Sequence, residues 1–290
     1  MHEVTYQIDH LTMAGISNQQ NDKPIVLALH GWLDNAHSFK PLIPFMQDYH
    51  VIALDWAGHG HSGHRPDGME YLQMDYVDDL NQVIELNDWQ SVILLGHSMG
   101  GILASIYAAV FPERVSKVVS IDSYGPLSED EDNTVECIHK GITNRQQARN
   151  KVPRPAPEMS LQSLIEKRSV HTELSEENIS LLITRSVKPS SEFETVIGAQ
   201  TQVQWTTDRR LRKPSLVRLT EGQARNIICQ IKIDMLVIVA EDGFITKRKY
   251  LGKRRDWNSS IKSVSIAGGH HVHMEKPAQI SKLICQFLQS

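Results

Sequence analysis

The segment 94–101 (LLGHSMGG) places a serine between two glycines, after a short apolar run and before an Ala-rich stretch. Gly96 and Gly100 stand two positions on either side of Ser98, where small residues relieve the crowding of a sharp strand-to-helix turn. Such a turn lifts the hydroxyl above a sheet, and the N-terminus of the following helix favours negative charge beside it. The pattern therefore predicts Ser98 as a nucleophile.

A histidine-rich segment, 268–277 (GGHHVHMEKP), follows the last apolar run of the chain. In the chain order serine, acid, histidine, the general base belongs at this point. His270, His271 and His273 compete for the role. We predict His270, because it directly follows the double glycine and lies five residues before Glu275. A base there removes the Ser98 proton and later protonates the leaving group.

The segment 30–34 (HGWLD) follows an earlier apolar run. In a site of this kind, the loop at that position donates one backbone N–H to an oxyanion, here from Trp32. The residue after the nucleophile, Met99, donates the other. A role for the Trp32 side chain as a core anchor is equally compatible with the sequence, and its N–H is available in either case.

Three more histidines, His59, His61 and His64, lie in the glycine-rich segment 55–64. No carboxylate or cysteine completes a metal-ligand set of obvious spacing there, and the glycines fit a tight loop instead. The sequence therefore predicts neither a metal ion nor a cofactor.

Composition narrows the function classes. The chain has 290 residues, of which 40% are hydrophobic, and a formal net charge of -4. That balance argues against nucleic-acid and anionic-membrane partners, which call for a basic face. The N-terminus lacks signal-peptide features, and no apolar stretch reaches the roughly 20 residues that span a bilayer. We expect a cytoplasmic monomer or homodimer that acts on a small molecule and whose three cysteines are reduced, buried thiols.

Alternating strand-like and helix-like segments predict the fold class. The apolar runs are 24–29, 51–54, 91–95, 115–121, 235–240 and 261–266. Strands that are apolar on both faces belong to a parallel sheet covered by helices. Residues 75–86, 102–110 and 278–288 have the apolar stripes of such helices. We predict an α/β fold with a doubly wound, mostly parallel sheet.

The stretch from about 125 to 225 breaks this alternation. It is polar and charged, with an acidic cluster at 129–132 and helix-like segments such as 172–182. Its length far exceeds that of a normal connection. The sequence therefore predicts a core formed by 1–124 and 226–290, with an inserted helical cap at 125–225.

Together these segments resemble the α/β-hydrolase superfamily, outside the inserted region. The string 29–39 (LHGWLDNAHSF), with 42–44, 270–277 and, inside the insertion, 174–177 and 208–211, resembles the serine hydrolase-like protein subgroup. The resemblance implies a helical lid over a serine hydrolase core. It names no substrate.

The third member of a catalytic triad is where the resemblance departs from the family pattern. Family members carry an aspartate three residues after a glycine that ends the next-to-last strand. Here Ala240 takes the place of that glycine and Gly243 takes the place of the acid, while Asp242 lies one residue early and Glu241 two. Other superfamily members place the acid where Asp122 stands, after the strand that follows the nucleophile helix. Asp122 and Asp242 both stay open, with Glu241 the weaker candidate.

The leading prediction is a serine hydrolase that cleaves a carboxylic ester or related acyl bond through an acyl-serine intermediate. A C–C bond hydrolase and a cofactor-free perhydrolase are alternatives that use the same triad. An alternative from another class is a non-catalytic small-ligand receptor or scaffold, which the displaced acid favours and the pair of Ser98 and His270 disfavours.

Overall fold

The computed structural model describes residues 1–150, 159–191, 193 and 196–290. Its main sheet has eight strands: β1 (His2–Gln7), β2 (Thr12–Ser17), β3 (Ile25–Leu29), β4 (His50–Leu54), β5 (Val92–His97), β6 (Val115–Ile121), β10 (Met235–Ala240) and β11 (Ile261–Ile266). Their order across the sheet is β1-β2-β4-β3-β5-β6-β10-β11. β2 is antiparallel to both of its neighbours, and the other five pairings are parallel. The predicted mostly parallel sheet is confirmed.

Ten helices are assigned within the described residues: α1 (Gln73–Leu86), α2 (Met99–Val110), α3 (Thr134–Asn150), α4 (Leu161–Ser169), α5 (Glu176–Thr184), α6 (Glu221–Gln230), α7 (Phe244–Lys247), α8 (Lys249–Gly252), α9 (Val272–Glu275) and α10 (Pro277–Gln289). α1, α2 and α6 share one apolar cluster with the sheet, and α10 shares the other. Burial of both sheet faces explains why β3 is apolar throughout and why β4 and β5 hold no polar residue except the terminal His50 and His97.

The segment between β6 and α6 forms a layer of its own. It contains α3, α4, α5 and a small antiparallel sheet of β7 (Met159–Ser160), β8 (Val187–Pro189) and β9 (Gln202–Trp205), ordered β7-β9-β8. Leu164, Ile179 and Leu182 belong to a third apolar cluster, which also includes Met274 of α9. The sequence indicated the helices of this insertion but not the sheet. Residues 151–158, 192, 194 and 195 of the predicted insertion lie outside the described residues.

Buried polar contacts attach this segment to the core. Arg185 is buried, and its guanidinium donates to Asp55 at 2.9 Å and to Glu3 at 2.7 Å. Asn178 of α5 donates to the Glu275 carboxylate at 2.8 Å. A buried ion pair is costly to break, because removing one partner leaves an uncompensated charge. The α5 side of the insertion is therefore firmly held against the core.

The three cysteines differ in their exposure to solvent. All three cysteines are free, but Cys229 is exposed and Cys137 and Cys285 are half-buried, so the prediction of buried thiols is wrong. α6 is amphipathic, and its exposed face carries Cys229.

Among the described residues, no helix has the length and apolar character needed to cross a membrane.

Candidate active site

Ser98 occupies a strained turn between β5 and α2. Its φ of 51° and ψ of -115° lie outside the regions that residues with a side chain normally adopt. The turn is possible because neighbouring residues carry no Cβ: one on Gly100 would lie 1.8 Å from the Leu29 carbonyl oxygen. The Ser98 N–H donates to the Ile121 carbonyl at 3.0 Å, which ties the turn to the end of β6. Ser98 itself is half-buried.

His270 and Asp122 form a close pair beside this turn. The Nδ1–H of His270 donates to Asp122 Oδ2 at 2.6 Å. Asp122 follows β6 directly and is fully buried. Its carboxylate also accepts the backbone N–H of Phe244 at 2.5 Å and that of Ile245 at 3.4 Å. The imidazole is therefore held in the tautomer whose Nε2 carries a lone pair.

The structure separates the two candidate acids. Asp242 is exposed, and its backbone N–H donates to the Gly268 carbonyl at 3.0 Å. Among the described residues, no hydrogen bond or ion pair joins the Asp242 carboxylate to His270. A Cβ on Gly243 would lie 2.3 Å from Asp122 Oδ2. The missing side chain at 243 thus leaves the space that the Asp122 carboxylate fills.

The two predicted oxyanion donors lie on either side of the turn. Met99 is the first residue of α2, so its N–H has no carbonyl partner within the helix. Trp32 follows Gly31, where a Cβ would lie 3.2 Å from the Ser98 Cβ. The Trp32 indole is half-exposed and donates to the Leu211 carbonyl at 3.1 Å, so it is not a core anchor. The backbone of this loop therefore runs close to the nucleophile position.

Among the described residues, no hydrogen bond joins the Ser98 hydroxyl to His270. Nucleophile–base contacts are often long in ligand-free enzymes and shorten in the substrate complex. The structure therefore brings together Ser98, His270, Asp122, Met99 and the Trp32 loop, and it leaves Asp242 on the surface.

A second set of titratable groups, which sequence reasoning missed, lies against the first. Asp34 is buried; its Oδ2 accepts from His271 Nε2 at 2.9 Å and its Oδ1 accepts from Arg168 at 3.1 Å. Burial opposes its charge, but His271 and Arg168 hold the pKa of the Asp34 carboxyl well below its usual range. One sequence feature could have indicated this second set of groups: His271 and His273 alternate in one short segment, and His97 stands beside the nucleophile.

Buried imidazoles complete this set. His97 and His273 are fully buried, with ring centroids 4.2 Å apart. Burial, together with the neighbouring histidines, lowers the pKa of both rings well below 6.5, so both are neutral at neutral pH. His97 Nε2–H donates to the His270 carbonyl at 2.9 Å. The residue before the nucleophile is thus bonded to the backbone of the predicted base.

Of the described residues, Asp34, His97 and His271 form a group whose ligand atoms all lie within 4.8 Å of one another. The histidines of segment 55–64 have other partners. His59 donates through Nδ1 to the Ala57 carbonyl and accepts the Leu33 N–H at Nε2. His64 Nε2–H donates to the Thr206 carbonyl at 2.7 Å.

The fold and this site define the class of protein. The profile of the α/β hydrolase fold family matches residues 24–277. The chain belongs to the α/β-hydrolase family and, within it, to the serine hydrolase-like proteins. The family membership and the names of the relatives support a hydrolase.

Individual relatives agree with this assignment. The serine hydrolase-like protein of Danio rerio is 32% identical over 273 residues, which cover 91% of this chain and 81% of that one. A hypothetical protein of Pseudomonas aeruginosa PAO1 superposes with a TM-score of 0.88 at 30% identity over 100% of both chains. The thioesterase domain from the curacin biosynthetic pathway, at 22% identity, has the same fold with a TM-score of 0.83 over 100% of this chain and 99% of that domain.

Proposed function

We propose that the protein is a serine hydrolase that cleaves a carboxylic ester or a related acyl bond through an acyl-serine intermediate. The observation that carries the proposal is the strained Ser98 turn beside a histidine whose Nδ1–H donates to a buried carboxylate at 2.6 Å. A buried serine in a merely structural turn would need neither the strain nor the pair.

The first half-reaction forms the acyl-serine. Ser98 Oγ attacks the substrate carbonyl carbon while His270 Nε2 takes the hydroxyl proton. The carbonyl π electrons move onto oxygen, and the N–H groups of Met99 and Trp32 stabilise the resulting oxyanion. When the carbonyl reforms, the bond to the alcohol breaks and His270 gives its proton to the leaving oxygen.

The second half-reaction returns the enzyme to its starting state. Water attacks the acyl-serine carbonyl and gives one proton to His270. Collapse of this second oxyanion releases the carboxylic acid, and the proton returns to Ser98 Oγ. Asp122 orients the imidazole and stabilises its cationic form.

In this proposal the substrate pocket lies beside the insertion and is lined by two aromatic side chains of the core. Trp32, half-exposed next to the turn, bonds through its indole to Leu211 of the insertion. On the other side, the Phe244 ring lies 5.6 Å from the His270 ring. These two aromatic side chains offer apolar surface to an acyl or alcohol group.

A fluorophosphonate probe tests the proposal, because it reacts with activated serines. We expect covalent labelling of the wild-type chain and loss of labelling in Ser98→Ala. Ser91→Ala, which changes an exposed serine immediately before β5, is the matched control and keeps full labelling. A wild-type chain that is folded by circular dichroism yet stays unlabelled contradicts the proposal and favours a receptor or scaffold.

A series of p-nitrophenyl esters with increasing acyl length then tests the reaction. We expect a burst of p-nitrophenol equal to the concentration of active sites, followed by slower turnover, as an acyl-enzyme requires. Labelling of Ser98 without hydrolysis of any ester in the series contradicts ester cleavage and favours the C–C bond hydrolase.

A further inference from the structure

The group formed by Asp34, His97 and His271 has the composition of a transition-metal site. It offers two imidazole nitrogens and one carboxylate oxygen, a ligand set found for Zn²⁺ and related divalent ions. Three separate parts of the chain contribute: the loop after β3, the last residue of β5, and the segment before α9. Asp34 and His97 are buried, and His271 is partly exposed, which leaves one side open to solvent.

The distances fit one ion held by all three residues. Asp34 Oδ2 lies 2.9 Å from His271 Nε2 and 3.9 Å from His97 Nδ1. With metal–ligand bonds of about 2.0–2.1 Å, ligands at tetrahedral angles are about 3.4 Å apart. The two observed separations bracket that value, and all three ligand atoms lie within 4.8 Å of one another. An ion here takes the place of the hydrogen bond from His271 Nε2–H to Asp34 Oδ2, and the His271 proton moves to Nδ1. This change of tautomer and small side-chain shifts bring the three atoms into one coordination sphere.

The outer hydrogen bonds also match those of a metal centre. Ligating histidines usually donate their second ring N–H to a carbonyl or carboxylate, and ligating carboxylates are themselves hydrogen-bonded. His97 donates its Nε2–H to the His270 carbonyl at 2.9 Å, which directs the lone pair of Nδ1 towards Asp34. Arg168 donates to Asp34 Oδ1 at 3.1 Å, which leaves Oδ2 for the ion.

His97 Nδ1 supplies an independent indication of a bound cation. This atom is fully buried and has no hydrogen-bond partner among the described residues. In the neutral ring it is an acceptor, and it faces Asp34 Oδ2 at 3.9 Å, which is an acceptor as well. Asp34 Oδ2 already accepts from His271, so His97 Nδ1 is the acceptor left without a partner, and a positive centre or a donor beside it would satisfy it.

From this arrangement we propose that Asp34, His97 and His271 bind one divalent transition-metal ion of the Zn²⁺ type, with at least one coordination position open. The ligands adjoin the residues of the proposed reaction: His97 precedes Ser98, and His271 follows His270. An ion at this position ties the nucleophile turn to the segment of the base. It is a positioning site, and its binding does not depend on the proposed function.

The test is a Zn²⁺ titration of the full chain after removal of metals with a chelator. We expect one ion per chain by calorimetry and by competition with a chromophoric chelator. His271→Gln should weaken binding by more than the roughly 10–100-fold that loss of an outer partner costs. Asp34→Asn should do the same. His139→Gln, which removes an exposed histidine of α3, is the matched control and leaves binding unchanged.

Two outcomes overturn the proposal. The first is that the wild-type chain binds no stoichiometric ion, which would mean that a water molecule fills the space between His97 Nδ1 and Asp34 Oδ2. The second is unchanged Zn²⁺ binding in a folded His271→Gln variant. His271 is partly exposed, so this variant keeps the test usable if Asp34→Asn does not fold. The titration is repeated on Ser98→Ala. If Ser98→Ala binds one ion per chain and the wild-type chain hydrolyses no ester, the proposed function fails while the metal site stands.

Discussion

Two carboxylate–histidine pairs lie side by side next to the Ser98 turn, and they differ in how they are built. Asp122 pairs with His270 through Nδ1, and Asp34 pairs with His271 through Nε2. The two histidines are consecutive, and their rings are nearly perpendicular, at 76°. One short segment thus presents two imidazoles to carboxylates on opposite sides.

The surroundings of the two carboxylates explain the difference. Asp122 accepts backbone N–H groups that follow β10, so the core sheet alone fixes it. Asp34 accepts from Arg168 of α4, which belongs to the insertion, and faces His97 of the nucleophile strand. The first pair is a property of the core, whereas the second joins core and insertion. The first therefore fits proton transfer, and the second fits positioning.

Breaking the first pair should give the largest effect. Asp122→Asn keeps the shape but favours the wrong imidazole tautomer, so we expect ester turnover to fall roughly 10³–10⁴-fold with little change in binding. Asp242→Asn is the matched control, because that side chain is exposed, and its turnover should stay near wild type. The measurement is kcat on a short p-nitrophenyl ester. A normal rate for Asp122→Asn, or an equal loss in Asp242→Asn, contradicts the assignment of the acid.

Acid should weaken the support of the Asp34 loop. His30 and His59 lie beneath it, and burial lowers the pKa of His30 to about 3 and that of His59 to about 4. The unfolded chain protonates both near pH 6.5, whereas the folded chain does not. Stability is therefore fully present above that pH and falls by up to roughly 1.4 kcal/mol per pH unit for each histidine below it.

Urea unfolding at pH 7.5, 6.0 and 5.0 measures this loss. His59→Gln removes one of the buried histidines that the unfolded chain protonates, so its unfolding free energy should depend less steeply on pH than that of the wild type. Identical slopes for the two proteins contradict the pKa assignment.

A methyl group at position 243 should disturb only the first pair. A Cβ there meets Asp122 Oδ2 at 2.3 Å, so Gly243→Ala must displace the carboxylate and should lower the unfolding free energy by about 1–3 kcal/mol. Gly252→Ala is the control, since a Cβ at that helical position has no atom within 4 Å. Thermal and urea unfolding of both variants check the expectation. Equal stabilities would mean that the Asp122 carboxylate has room to move.

Loosening the second pair from the insertion should have the smallest effect. Arg168 is partly exposed and buried Asp34 keeps its hydrogen bond from His271, so Arg168→Met should lower the unfolding free energy by only about 1 kcal/mol. Because it removes the hydrogen bond to Asp34 Oδ1, Zn²⁺ affinity should fall roughly tenfold or more. Lys167→Met, which changes an exposed neighbour on α4, should leave the affinity as it was. Equal Zn²⁺ affinities in the two variants would show that Arg168 does not support the ion site.

The difference between the buried core sheet and the insertion explains which elements could be predicted from the sequence. Each of the six apolar runs lies on a strand of the main sheet. For β3, β4, β5 and β10, burial on both faces leaves a nearly continuous apolar signal, whereas the edge strand β11 shows only an alternating one. β1 and β2 were missed; β1 is an edge strand with exposed or half-buried residues, and β2 carries small and polar residues among its apolar ones. β7, β8 and β9 have two to four residues each, which is too short for a periodic pattern.

Within the site, local patterns predicted more than distant pairings did. The Ser98 turn and the position of His270 each follow from a few contiguous residues. The choice between Asp122 and Asp242 depends on the packing of Gly243, which only the fold shows. The expectation of no metal came from spacing within single segments. Spacing within one segment cannot reveal a group whose members, residues 34, 97 and 271, are far apart in the sequence.

The glycine at 243 also limits where an acid can be introduced into this fold. An aspartate engineered at 243 needs a side chain where Asp122 Oδ2 now lies, 2.3 Å from the missing Cβ. In this backbone a side chain at 243 and Asp122 in its present position exclude each other. Moving the acid between the two strand ends therefore requires both positions to change together.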